Sequence, residues 1–199
     1  MFEKVYLASG SPRRRELLAQ IGVPCEVYPV DLDESELFGE SPEDYVRRLA
    51  IGKAAAGWDL TQEAGKPPLP VIGSDTSVVL DGQTLGKPED KTHALSMLQS
   101  LSGTEHTVMS AVAMQFEGRV ECQLSCTAVY FRPLPAELIE RYWATGEPAD
   151  KAGAYGIQGF GAAFVERIEG SYSGVVGLPL METISLLERF GVTYWHHSE

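Results

Sequence analysis

The pattern of hydrophobic and polar positions predicts strands and helices that alternate through the first half of the chain. Short apolar or alternating runs indicate strands, and apolar residues spaced three and four apart indicate helices. Six elements are predicted in this half: strands at about 4–8, 25–30 and 70–80, and helices at about 12–21, 42–57 and 89–101. The stretch AGKPPLP (64–70), rich in glycine and proline, predicts a loop, and DGQT (81–84) predicts a turn.

The second half of the chain changes character. Its predicted elements are two long strands at about 105–116 and 119–132 joined at Glu117–Gly118, helices in PAELIERYWATG and LPLMETISLLERFG, and a strand in AAFVERI. Early alternation followed by a hairpin predicts an α/β protein with a central mixed sheet. We expect one elongated, two-lobed domain over residues 1–199, with the 64–70 loop and the 132–135 turn as candidate hinges.

The charge and composition of the chain limit which partners it can bind and where in the cell we expect it. The net charge of −12 over 199 residues argues against general binding to nucleic acid or to an anionic membrane. No apolar run approaches the roughly 18 residues that span a bilayer, and the first residues turn polar too soon for a signal peptide. Cys122 and Cys126 would lie roughly 13 Å apart along a strand, too far for a disulfide. We therefore expect reduced thiols and a cytoplasmic protein. His196 and His197 lie near the C-terminus, where disorder is common.

The first helix begins with an unusual charge pattern. Ser11 is a favourable N-cap and Pro12 a favourable first helical residue, but Arg13 and Arg14 follow where acids are usual. A second helix, opening with SPED at 41–44, has the expected acids. Each cation at the positive end of a helix costs about 0.3–1 kcal/mol, so an anion is expected nearby.

A helix N-terminus with arginines suits phosphate, because free N–H groups and bidentate guanidinium donors point to one place. The predicted phosphate-binding residues are Ser9, Ser11, Arg13 and Arg14. The alternative is a solvated basic turn, or ion pairs with nearby acids. Arg15 is expected to face solvent.

An aspartate interrupts the strong strand VIGSDTSVVL. Asp75 is unfavourable in a strand and would need a cation or strong donors in an apolar environment. It is a candidate metal ligand or general base. The alternative is an aspartate at a strand bend that is bonded to backbone.

Two lysines lie where they could reach an anion. Pro88 keeps Lys87 out of the following helix, so Lys87 would project at a second helix N-terminus. Lys53 shares one helix face with Tyr45 and Leu49. The alternatives are an exposed loop lysine and a lysine whose ammonium reaches water.

Two further segments can complete a nucleotide site. Residues 31–44 contain seven acids, one of which could hold a hard cation together with Asp75, although spacing does not select it. In KAGAYGIQGFG, glycines surround Tyr155, which could stack on a base, and Gln158, which could read a base edge. A purely structural connection is the alternative for this stretch. Together these residues predict a nucleotide or pyrophosphate site.

The motifs LASGSPRRRELL, VDLDES, Lys53, GSDTSVVLDG, LGKP and DKAGAYGIQG, in this order, resemble the Maf family of nucleoside-triphosphate pyrophosphatases. The resemblance extends from Leu7 to GSYSGVVGLPL. YGIQG resembles the branch that acts on dTTP and UTP rather than the branch that acts on 7-methyl-GTP.

The resemblance implies an elongated α/β fold shared with inosine-triphosphate pyrophosphatases, a homodimer, and a divalent cation, Mg²⁺ or Mn²⁺. It implies hydrolysis of a nucleoside triphosphate to the monophosphate and pyrophosphate. The implied functional residues are Ser9, Arg13, Arg14, Glu34, Lys53, Asp75, Thr76, Lys87 and Gln158. Glu34 is selected from the acidic cluster on this basis alone, and some relatives differ at Gly86.

These residues combine into a mechanistic hypothesis. Glu34 and Asp75 hold the metal, and Asp75 also orients or deprotonates the attacking water. The cations of the site stabilise the leaving pyrophosphate, while Thr76 and Gln158 fix the nucleoside. Two other functions remain open: a nucleotide-sensing regulator, for example of cell division, that does not hydrolyse its ligand, and a nucleotide-modifying transferase that releases pyrophosphate.

Overall fold

Seven strands form one mixed sheet in the computed structural model, which describes residues 1–195. The strands are β1 (Val5–Leu7), β2 (Cys25–Val27), β3 (Val71–Leu80), β4 (Gln83–Leu85), β5 (Glu105–Phe116), β6 (Arg119–Phe131) and β7 (Val165–Glu169). Their order is β2-β1-β3-β5-β6-β7, and β4 pairs with the end of β3. β1 runs parallel to both neighbours and the other pairs are antiparallel, which confirms the predicted mixed α/β class.

Six α-helices accompany the sheet in the described residues: α1 (Pro12–Gln20), α2 (Pro42–Glu63), α3 (Lys91–Leu101), α4 (Ala136–Trp143), α5 (Tyr172–Val176) and α6 (Leu180–Arg189). Short 3₁₀ turns cover Glu147–Asp150, Ala152–Ala154 and Phe160–Phe164. No helix within residues 1–195 is long and apolar enough to cross a membrane. Cys25, Cys122 and Cys126 are free thiols, and the last two lie on the same strand, β6. The expectation for His196 and His197 concerns residues outside the described range.

The strongest patterns predict their elements well, and the differences have packing causes. Helix α2 continues to Glu63, beyond the predicted end at Gly57. A β-carbon at Gly57 would lie 2.7 Å from the Ala8 Cβ, so this glycine serves close helix–strand contact rather than helix termination. The predicted strand AAFVERI begins only at Val165, because residues 160–164 form a 3₁₀ turn.

Two clusters of buried side chains flank one continuous sheet. One cluster joins α1 and α6 to β1 and contains Ile72 of β3, and the other joins α3 and α4 to the sheet and contains Val78 of β3. Strand β3 runs from one to the other, and Asp75 lies between them.

Helix α2 packs very closely on β3. A β-carbon at Gly73 would lie 2.3 Å from the Ala50 carbonyl oxygen and 2.4 Å from the Ala54 backbone nitrogen. Only glycine permits this approach of helix and strand backbones.

Candidate active site

One cavity brings together all ten predicted site residues. Its volume is about 910 Å³, within the range that accommodates small-molecule ligands. The predicted residues that line it are Ser9, Ser11, Arg13, Arg14, Glu34, Lys53, Asp75, Thr76, Lys87 and Gln158. They come from the β1–α1 turn, the first turn of α1, the acidic loop before α2, helix α2, strand β3 and the loops before α3 and after α4.

Arg14 is fixed in place at the start of α1. Its Nε donates to the Gly177 carbonyl at 2.9 Å, and its Nη1 donates to Ser9 Oγ at 3.0 Å. Burial lowers the pKa of the Arg14 guanidinium, and the negative charge of Asp75 opposes this shift. A guanidinium has five N–H donors, so donors remain for an anion in the cavity.

The opening turn of α1 lacks the capping bond that α2 has. Ser11 occupies the predicted N-cap position, but its side chain makes no capping hydrogen bond within the described residues. Ser41, at the same position of α2, accepts from the Asp44 N–H at 3.1 Å. The predicted N-cap position of Ser11 is therefore confirmed, but its side chain makes no capping bond, and the first N–H groups of α1 lie beside the cavity without one.

The other two arginines of this turn behave differently. Arg13 Nη1 lies 3.9 Å from Asp150 Oδ2, a long and solvent-screened ion pair. This contact agrees in part with the alternative that the basic turn pairs with nearby acids. Arg15 is exposed, as predicted.

A buried lysine joins the two predicted metal ligands. Lys53 Nζ lies 2.8 Å from Asp75 Oδ1 and 2.6 Å from Glu34 Oε1. Lys53 and Asp75 are 9% and 7% exposed, so Lys53 does not reach into water and Asp75 bonds to a cation rather than to backbone. Burial raises the pKa of the Glu34 carboxyl, but the Lys53 ammonium, together with Lys87 and Arg14, outweighs it and the pKa lies below its ordinary value.

This pair of carboxylates fits a divalent ion that takes its other ligands from phosphate and water. Residues 1–195 contain no group of three or more histidine, cysteine, aspartate or glutamate side chains placed to hold a metal. Mg²⁺ is usually held by one or two carboxylates together with substrate phosphates. Glu34 and Asp75 meet that requirement because they converge on one ammonium group.

The Gly177 carbonyl is a shared acceptor that the sequence did not reveal. Besides the Arg14 bond, it accepts from Ser74 Oγ at 3.1 Å and from Thr76 Oγ1 at 3.4 Å. Thr76 Oγ1 also lies 2.8 Å from Ser110 Oγ. Gly177 follows α5 with φ of 132°, a conformation that favours glycine. Because it acts through its backbone, no side-chain pattern could have indicated it.

Tyr45 supports the acidic loop and was recognised in the sequence only as part of a helix face. Its hydroxyl donates to the Glu34 carbonyl at 2.8 Å. Burial, together with the charges of Asp75 and Glu34, raises the pKa of Tyr45 to about 12. The neutral hydroxyl therefore holds the Glu34 backbone beside Lys53 at ordinary pH.

Lys87 and Gln158 lie on exposed loops at the cavity, and the two loops are tied together. The Gly153 N–H donates to the Gly86 carbonyl at 3.0 Å. A β-carbon at Gly86 would meet nothing within 4 Å, so the structure has room for other residues at this position.

The expected role of Tyr155 in base stacking is wrong. Its ring lines the cavity but is 6% exposed and packs edge-on against Phe131 and His106. Its hydroxyl lies 2.8 Å from His106 Nε2. The ring therefore belongs to the core cluster around α3 and α4, and its faces are not free for a ligand.

Known proteins are similar to this chain over most of its length. A protein-family profile described as "Maf-like protein" matches residues 4–190. A relative from Nitrosomonas europaea is 52% identical over 197 residues, covering 95% of each chain, and is named dTTP/UTP pyrophosphatase. A relative from Saccharophagus degradans with the same name is 54% identical over 194 residues, covering 97% of this chain and 91% of the relative. The structure of the Staphylococcus aureus Ham1 protein superposes with a TM-score of 0.39 at 11% identity, covering 64% of this chain and 71% of the other.

Proposed function

Because the chain belongs to the Maf family, we propose that it hydrolyses dTTP and UTP to the nucleoside monophosphate and pyrophosphate. Relatives more than 50% identical over more than nine-tenths of both chains carry this activity in their names. The observation that carries the proposal is one cavity in a protein of net charge −12 where lysines and arginines outnumber acids. Its lining cations are Arg13, Arg14, Lys53, Lys87 and Lys151, and its lining acids are Glu34, Asp75, Glu147 and Asp150. Such a cavity attracts a polyphosphate where the rest of the surface would repel it.

The proposed cofactor is Mg²⁺ or Mn²⁺, held by Glu34 and Asp75. When bound, a divalent ion neutralises triphosphate charge and polarises phosphoryl oxygens. The support is the convergence of the two carboxylates on Lys53 Nζ. Nothing in this step requires a nucleophilic side chain, because phosphoryl transfer depends on positioning and charge neutralisation.

Asp75 is the proposed base. Its carboxylate accepts a proton from a water whose oxygen attacks the α-phosphorus, and the bond from that phosphorus to the β-phosphate bridging oxygen breaks. Pyrophosphate leaves with the bonding electrons, and Arg13, Arg14, Lys53 and Lys87 stabilise its charge. Since Asp75 is 7% exposed and bonded to Lys53, its orientation is fixed before substrate arrives.

Asp75→Asn tests this assignment. We expect pyrophosphate release from dTTP and Mg²⁺ to be abolished, while circular dichroism and thermal unfolding show a folded protein. Asp81→Asn is the matched control, because Asp81 lies in the exposed β3–β4 turn at φ of 49°, which asparagine tolerates. Turnover of Asp75→Asn at the rate of the parent protein would contradict the role of Asp75.

The same assay separates the proposed enzyme from the two other functions. A nucleotide sensor would bind dTTP without releasing pyrophosphate, and a transferase would give a product heavier than the monophosphate. We also propose a cytoplasmic homodimer that binds no nucleic acid, as the family resemblance and the acidic charge support. Sedimentation velocity tests the dimer.

A further inference from the structure

Glu147 lines the same cavity as Gln158, and its carboxylate is surrounded by hydrogen-bond donors. Its Oε1 accepts from the Tyr142 hydroxyl at 2.7 Å and from the Gly161 N–H at 3.0 Å. Its Oε2 accepts from the Phe160 N–H at 2.8 Å. Both oxygens of this side chain are therefore committed to holding the chain that follows α4.

The loop at residues 156–161, which carries Gln158, wraps closely around this carboxylate. A β-carbon at Gly159 would lie 2.1 Å from Glu147 Oε2. A β-carbon at Gly161 would lie 2.7 Å from the Tyr142 hydroxyl. Contact with Glu147 and Tyr142 thus explains why glycine stands at positions 159 and 161, whether or not a ligand also comes close to them.

The charge on Glu147 strengthens the arrangement. Burial raises the pKa of the Glu147 carboxyl, but the N–H of Gly161, the hydroxyl of Tyr142 and the N–H of Phe160 outweigh it, and the pKa lies below its ordinary value. Hydrogen bonds to an ionised acceptor are the strong ones. A second tie comes from Lys151, whose Nζ donates to the Glu147 carbonyl at 2.8 Å.

We propose that Glu147 is a positioning residue for nucleoside recognition: its carboxylate holds the 156–161 loop and so places Gln158 against the base. This inference rests on the proposed function, in which Gln158 contacts the nucleoside and the cations of α1, α2 and the loop before α3 bind the triphosphate. Glu147 acts through the loop and needs no contact with substrate.

The test compares binding of dTTP with binding of inorganic tripolyphosphate, which lacks a nucleoside. In Glu147→Gln, the amide NH₂ faces a backbone N–H that previously had an acceptor. Loss of one charge-assisted bond within the protein disfavours the ordered 156–161 loop by about tenfold or more, and the affinity for dTTP falls with the population of that loop conformation. We therefore expect the dTTP dissociation constant to rise by at least about tenfold, while the tripolyphosphate constant changes by less than about twofold.

Kinetics give a second readout. With dTTP, we expect KM to rise more than kcat falls, because the groups around the phosphates are unchanged. Glu137→Gln is the matched control. Glu137 is exposed in the first turn of α4, and this substitution makes the same chemical change outside the cavity. It should leave both ligands bound as in the parent protein.

Gly159→Ala disturbs the same contact from the other side, and its methyl group would collide with the carboxylate. Gly159→Ala should also raise the dTTP dissociation constant while leaving the tripolyphosphate constant nearly unchanged. If circular dichroism shows that Glu147→Gln is unfolded, Gly159→Ala decides the question. Equal weakening of both ligands in a folded variant, or unchanged dTTP binding in both variants, would overturn the inference. Failure of the parent protein to bind dTTP would instead refute the proposed function, and this inference with it.

Discussion

Lys53→Met removes the cation that lies between the two cavity carboxylates while keeping most of the side-chain volume. The ammonium contacts Asp75 at 2.8 Å and Glu34 at 2.6 Å. The side chains of Lys53 and Asp75 are 11% and 10% exposed, whereas that of Glu34 is 50% exposed. The substitution therefore strands one nearly buried charge and one that water can solvate.

The expected loss of stability follows from these exposures. Removing one partner of a buried ion pair costs about 3–5 kcal/mol, because the remaining charge is left without compensation. Glu34 adds little since it is half-exposed, and Arg14 still acts electrostatically on Asp75. We therefore expect the free energy of unfolding to fall by about 3 kcal/mol, near the lower end of that range.

Urea unfolding at pH 7 measures this change, and a double-mutant cycle with Asp75→Asn isolates the pair. We expect the double variant to be less destabilised than the sum of the single variants, by about 2 kcal/mol. Lys66→Met is the matched control: its ion pair with Glu26 is 3.3 Å long and both side chains are over 40% exposed, so its loss should change the unfolding free energy little. Additive single-variant effects, or a Lys53→Met loss as small as that of the control, would refute the reasoning.

Two further expectations use the same unfolding measurement. Burial lowers the pKa of His106 from 6.5 to about 4. As the pH is lowered from about 6.5 to about 4, the unfolded chain binds this proton before the folded protein does. The free energy of unfolding therefore decreases over this range, by up to about 3 kcal/mol. His106→Gln should flatten that part of the profile, and an unchanged slope would exclude His106 as its source. Ser41→Ala should cost about 1 kcal/mol because it removes the cap on α2. Ser11→Ala should cost almost nothing, since its side chain makes no cap within residues 1–195, and equal losses would contradict this difference.

The sequence predicted the elements whose signals are local. The β5–β6 hairpin lies within a residue of its expected bounds, because its long apolar alternation and the Glu117–Gly118 turn are visible along the chain. Strand β4 and helix α5 were missed, since three and five residues are too short to show a period. The length of α2 depended on Gly57 contacting another element, which no local pattern reports.

The site was predictable where charge broke a local rule. Arg13 and Arg14 at a helix start and Asp75 within a strand are anomalies in the sequence, and all three line the cavity. Glu34 needed the family resemblance, because seven neighbouring acids look alike. Tyr155 was misread because its burial depends on contacts with residues distant in sequence.

The contact at Gly73 links apolar packing to the electrostatics of the cavity. Lys53 belongs to the helix that rests on Gly73, and Asp75 lies two residues further along the same strand. Any larger residue at position 73 would force helix and strand apart and lengthen the Lys53–Asp75 ion pair. Although Gly73 does not line the cavity, we therefore expect its substitution to impair activity as much as substitution of the charged groups does. An inactivating change at this position would reach the chemistry through the spacing of two backbones.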